Sequence, residues 1–321
     1  MKEGQGENIF AWKQGLRGLS TREERPKWFY DKKLIPSLSD DVTQAEIARQ
    51  QGEHGRVGEV YSHWSSQAEA RLGKLESRQK SLGVDLSPQR DLLKVGFAGL
   101  GRIRHVDTNS QLKRAEPQDK DTLLSQIEEV KRLYSLLGIE SLVPWTIHGG
   151  PIHWFSEVAQ DEVNTQKILG DEEKASLILN KAVEGTEGVI GSLRERHNIP
   201  DLLQKEDGEL GYEDKVAKKL YLGSVSALGV LWARRAKMSL DLKDFGRSLT
   251  YLFESTHFDH NYHRLATVST WALTASFTPS FRGSFADRFK LALRSVGGLF
   301  TAFLGSPKDT LSAVRQFVRG K

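Results

Sequence analysis

EDKVAKKLYLGSVSALGVLWARRAKM, residues 213–238, decides the fold class. The stretch opens on acids, runs from Leu220 to Ala233 without a charge, and closes on Arg234, Arg235 and Lys237. Acids at the start and bases at the end complement a helix dipole, so the stretch reads as one helix. An uncharged run of 14 residues is too short to span a bilayer but fits a helix buried on most sides. Gly223, Ser224, Ser226, Ala227 and Gly229 would let neighbouring helices approach closely. The expectation is a mainly α protein with this helix at its centre.

The flanking segments extend that reading. Val57, Val60, Tyr61, Trp64, Ala68, Leu72 and Leu75 follow helical spacing, and Gly83 stops the run. Leu123, Leu124, Ile127, Val130, Leu133, Tyr134 and Leu137 form a second stripe, capped by Asp121 and ended by Gly138. Asp171 caps a third helix that ends before Pro200, and 244–253 and 263–277 read as two more. Between these, 92–104 (LLKVGFAGLGRIR) reads as a glycine-bearing buried turn or hairpin. His105 to Asp119 reads as an exposed linker, and 139–155 as a buried irregular connection. The division expected is an N-terminal arm at 1–44, helical lobes at 45–145 and 146–278, and a basic C-terminal arm at 279–321. The two lobes form the body and the arms extend from it.

The N-terminal arm lacks sustained periodicity and sets Ile9, Phe10, Trp12, Trp28, Phe29 and Tyr30 among bases, as a docking segment would. In the C-terminal arm Phe277, Phe281, Phe285 and Phe289 recur every four residues, continued by Ala292, Val296, Phe300 and Phe303. Arg288 and Arg294 project elsewhere, which makes a basic amphipathic helix, and a last short helix follows Pro307.

Charge is unevenly placed. The net +4 resolves into +3 over residues 1–33, −6 over 34–260 and +7 over 261–321, so basic ends flank an acidic body. That distribution suits a polyanion, or head-to-tail contact with a neighbouring copy. Cysteine is absent, which removes disulfides, thiolate metal sites and cysteine nucleophiles. The polar N-terminus does not read as a secretory signal, and no window of 18 residues is continuously apolar. The expectation is an intracellular protein, cytoplasmic or within a virion and not secreted, with no transmembrane segment.

Three motifs invite chemistry. His257, Asp259, His260 and His263 have the ligand types for zinc. His257, Asp259 and His260 partly resemble the HxHxDH signature of metallo-β-lactamases, with Ser255 in place of the first histidine. The match covers six residues, so no activity follows from it, and a polar helix corner is the preferred reading. Gly99-Leu100-Gly101 starts a dinucleotide fingerprint, but Arg104 stands where the third glycine belongs. His148-Gly149-Gly150-Pro151 is similar to the oxyanion loop of esterases, yet the chain has no G-x-S-x-G elbow to serve it. No catalytic, cofactor-binding or metal-binding residue is therefore assigned, and no cofactor is expected.

The expected function is that of a non-enzymatic assembly protein binding a polyanion, foremost single-stranded RNA, in the manner of a nucleocapsid or coat protein. Its terminal arms would mediate self-association. The candidate contacts are Lys215, Lys218, Lys219, Arg234, Arg235, Lys237, Arg282, Arg288, Lys290 and Arg294. The alternative is a structural subunit of a larger organellar or membrane-associated complex. There the basic amphipathic tail would dock on a protomer or touch a membrane surface peripherally. A metal-dependent enzyme at the histidine cluster is the third reading.

Overall fold

A computed structural model describes residues 27, 29–138, 151–206, 208–259 and 262–318. Among them the chain forms twelve α-helices and no strands, so the protein is mainly α. It divides into two compact units, Met1–Glu140 and Ser141–Lys321.

In the first unit a π-helical turn, Tyr30–Leu34, leads into α1 (Ile35–Gln51), followed by α2 (His54–Leu82), α3 (Ser87–Leu112) and α4 (Pro117–Leu137). α3 packs against the other three. The stripe expected in α2 is the face it buries: Val57, Tyr61, Trp64, Ala68, Leu72 and Leu75. Trp64 also donates its indole N–H to Asp41 across 2.8 Å, which satisfies the polar edge of a buried ring. Gly83 and Gly138 end α2 and α4 in the left-handed conformation. α4 begins at Pro117, four residues ahead of the expected cap Asp121.

Two expectations are overturned here. Residues 92–104 are neither a turn nor a hairpin but the interior of α3, and His105 to Leu112 continues that helix instead of forming an exposed loop. The reason is packing. A Cβ at Gly96 would lie 2.5 Å from Leu38, and one at Gly101 2.9 Å from the Tyr134 ring. The glycines are contact points for neighbouring helices, and that burial outweighs the cost of about 1 kcal/mol each in helix propensity. The proposed N-terminal arm is also shortened. Residues 30–44 are helical, and Tyr30, Leu34 and Leu38 are buried in the core of this unit. The anchors Ile9, Phe10, Trp12 and Trp28 lie outside the described residues, as do 139–150 with the His148-Gly149-Gly150 motif.

The second unit contains α5 (Pro151–Leu169), α6 (Glu172–Arg196), α7 (Ile199–Gln204), α8 (Tyr212–Ser239), α9 (Leu242–Asp259), α10 (Tyr262–Phe277), α11 (Phe285–Gly305) and α12 (Pro307–Val318). α8 is the expected central helix. It touches α5, α6, α7, α9 and α10 and buries Leu220, Tyr221, Leu222, Val225, Leu228, Leu231 and Trp232. The small residues act as anticipated at Gly229, where a Cβ would meet Leu252 at 2.6 Å and the Ser248 carbonyl at 3.2 Å. Gly223 instead faces open space. Asp171 caps α6, accepting the Lys174 backbone N–H at 2.9 Å.

The tail from 279 onward is not an extended arm. α11 packs on α10 and α9, and α12 on α10 and α11. The Ser284–Asp287 capping box starts α11 squarely. The connection between α10 and α11 is pinned by backbone hydrogen bonds from Arg282 N to Leu240 O (2.6 Å) and from Leu242 N to Arg282 O (3.2 Å).

Candidate functional site

The structure separates the ten candidate bases into three groups. The first is held within the second unit. Arg234 donates to Asn164 at 3.2 Å near Asp161 and Glu157, and burial draws its guanidinium below the ordinary range. Arg235 sits 3.4 Å from Asp244, and its guanidinium stacks 4.6 Å from the Trp232 ring centre, with Arg247 at the same distance. Burial raises Asp244 from the usual carboxylate range, and Arg235 opposes that rise. The Lys237 ammonium rests 3.2 Å from the centre of the Trp271 ring. The residue as a whole remains exposed, but desolvation of the amine against that ring, reinforced by Arg234 and Lys167, lowers its pKa to about 8. Arg288 turns back onto the end of α10, donating to the carbonyls of Ser276 (3.2 Å), Thr278 (2.9 Å), Pro279 (3.4 Å) and Phe281 (2.5 Å). These four residues hold helices together, as bases at helix C-termini commonly do.

The second group, Lys215, Lys218 and Lys219, lies in the first turns of α8, with the Lys218 amine donating to the Lys205 carbonyl at 2.6 Å. The third, Arg282, Lys290 and Arg294, is exposed on and just before α11. Arg282 is tied to the far end of α8, so about 30 Å of helix separates it from Lys219. The ten bases therefore do not line one groove.

What the structure does assemble is an apolar face. α11 packs inward through Leu291, Ser295, Gly298 and Ala302. Gly298 permits the contact, since a Cβ there would lie 2.2 Å from the Ser269 hydroxyl. On a helix of 3.6 residues per turn, Phe285, Phe289, Leu293, Val296, Phe300, Phe303 and Leu304 fall on the opposite side, on a strip roughly 100° wide. All seven are exposed, Phe285 by 85% and Phe300 by 62%. With Leu273 and Phe277 of α10, the first part of this strip lines an apolar groove of about 760 Å³. Lys290 and Arg294 run along one flank. The acids of the hairpin stay at helix starts: Asp287 accepts from Ser284, which lowers its pKa, and Asp309 accepts from Ser306 at 2.8 Å. The spacing of the phenylalanines was legible in the sequence. That those of α11 face out, with the glycine and serine side turned in, was not, nor that Phe281 leaves the stripe to pack against Phe245.

The remaining motifs resolve differently. His257 ends α9 and His263 opens α10, while His260 and the Asp259 side chain lie outside the described residues. Among the described residues no group of three His, Cys, Asp or Glu is placed to hold a metal. Missed in the sequence is a polar network in the first unit. Asp107, fully buried on α3, lies 2.7 Å from His54 Nδ1, accepts from Gln111 at 2.9 Å and sits 3.6 Å from Arg104. Treating His105–Asp119 as an exposed loop hid it. No described helix is long and apolar enough to cross a membrane. No family model matches the chain, nor does any curated protein or solved structure.

Proposed function

We propose that the protein is a non-enzymatic structural subunit whose C-terminal helices are its docking element. The observation that carries this is α11: it is anchored by its small-residue side and presents seven large apolar side chains outward. Contiguous exposed apolar surface of this kind on a folded protein marks an interaction site. Its test is a comparison of the wild-type chain with Phe289→Ser and Phe300→Ser by size-exclusion chromatography and light scattering, with and without added partner surfaces. Loss of docking with unchanged helix content supports the role. Unchanged docking removes it.

A second reading, a nucleocapsid-type protein holding single-stranded RNA and self-associating, is favoured by Lys290 and Arg294 running beside Phe289 and the rest of the exposed strip. Phosphates and unpaired bases could be met together there. Absorbance at two wavelengths on freshly purified protein, before and after nuclease, tests it. Particles that carry nucleic acid and shrink on digestion favour this reading, and protein free of nucleic acid and unaffected by nuclease discards it.

A further inference from the structure

We infer that the α11–α12 surface docks on an anionic lipid bilayer, lying in the headgroup boundary without crossing it. The inference rests on the reading of these helices as a docking element and names what they dock on. Three features select a bilayer. First, α11 exposes its apolar strip from Phe285 to Leu304, 20 residues or about 30 Å of helix, and the strip contains no charge. An amphipathic helix lying in a membrane interface has this form, with phenylalanine and leucine buried among acyl chains and bases on the flank.

Second, the charge of the hairpin matches an anionic surface. Arg282, Lys290, Arg294, Lys308 and Arg315 are exposed and outnumber the two carboxylates, Asp287 and Asp309, which sit at the helix starts with the cap serines. Each base near such a surface strengthens binding roughly fivefold. Arg288, the remaining described base of the hairpin, lines the groove but has its guanidinium turned onto backbone carbonyls.

Third, the same charges disfavour a second copy as the occupant. A two-fold antiparallel pairing of α11 strips sets like flank against like flank, bringing Lys290 and Arg294 of one copy towards their own equivalents. The strip itself holds no acid, and Asp287, near Lys290 at the helix start, offsets only part of that repulsion.

The experiment is flotation of the full-length protein with phosphatidylcholine vesicles, with and without phosphatidylserine. Wild type is expected to float with the anionic vesicles, less with the neutral ones, and less as salt rises. Lys290→Gln with Arg294→Gln is expected to lower partitioning into anionic vesicles by about 25-fold, from two bases at roughly fivefold each. Phe289→Ser with Phe300→Ser is expected to abolish it for both compositions. Circular dichroism checks that these surface variants keep their helices. Wild type that fails to float overturns the inference. So does flotation indifferent to the phenylalanine variants. If the phenylalanine variants instead dissociate a wild-type oligomer that never binds vesicles, the docking reading stands and the bilayer falls. A nucleic-acid complex lost in the same variants would assign the surface to RNA and likewise remove the bilayer.

Discussion

Helices α8 and α11 are built from similar sequence and end in opposite situations. Both combine long uncharged runs, small residues and nearby bases. α8 is surrounded by five other helices, and the bases near its end are engaged: Arg234 with Asn164, Arg235 with Asp244 and Trp232, and Lys237 with Trp271. α11 is covered on one side only. Its small residues face the body, its phenylalanines face outward, and Lys290 and Arg294 remain exposed. The comparison teaches that a basic apolar helix becomes a core element or a docking element according to which of its faces finds a neighbour.

The contrast is broken most forcefully inside α8. Gly229→Val forces a branched side chain towards Leu252 and the fixed carbonyl of Ser248. A loss of about 3 kcal/mol in the stability of the second unit is expected, measured by urea denaturation. Next in size is Arg288→Ala, which leaves the carbonyls at the end of α10 without their guanidinium. About 2 kcal/mol should be lost by the same measurement, with Arg288→Lys recovering only part because one ammonium cannot serve four acceptors.

Adjacent glycines in α11 sharpen the comparison of its two sides. A Cβ at Gly297 meets nothing within 4 Å, whereas one at Gly298 meets Ser269. Gly297→Ala should therefore stabilise by about 0.5–1 kcal/mol through helix propensity, while Gly298→Ala should forfeit that gain, both read as shifts in the urea midpoint. Phe300→Ser should move stability by no more than about 0.5 kcal/mol, because the ring lies mostly in solvent. A large loss would mean that its face is covered within the chain.

The last effect concerns pH. The folded pKa of Lys237 lies near 8, below the ordinary lysine value of 10.5, so the unfolded chain binds more protons between those values. The penalty for charging Lys237 is present in full below about pH 8 and is relieved as pH rises towards 10.5. Stability contributed at this residue should rise across that window, by less than the full linkage value because the Lys237 side chain is exposed to screening solvent. Amine-directed labelling followed by mass spectrometry should find Lys237 reactive near pH 8, ahead of Lys290 on the docking flank.

Much of the fold was legible because periodicity reports burial directly. The α2 stripe from Val57 to Leu75 needed only helical spacing, and Gly83 and Gly138 marked where helices stop. α3 was illegible for the complementary reason. Gly96, Gly99 and Gly101 weaken helix propensity locally, and only Leu38 pressing at 96 and Tyr134 at 101 explain why two of these glycines stand there. Asp107 was hidden with it, since a buried carboxylate is intelligible only once His54, some fifty residues away in sequence, is beside it.

By itself the sequence determined that the protein is mainly α, that Leu220–Ala233 lies at the centre of a helical unit, and that the tail forms amphipathic basic helices. Local spacing and helix-end chemistry suffice for each. Only the tertiary structure decided which side of α11 is buried, because Ser269 accepts a glycine at 298 where no larger side chain would fit as closely. It also decided which bases stay exposed. A charge in the sequence carries no record of the ring, carboxylate or carbonyl that the fold will bring to it.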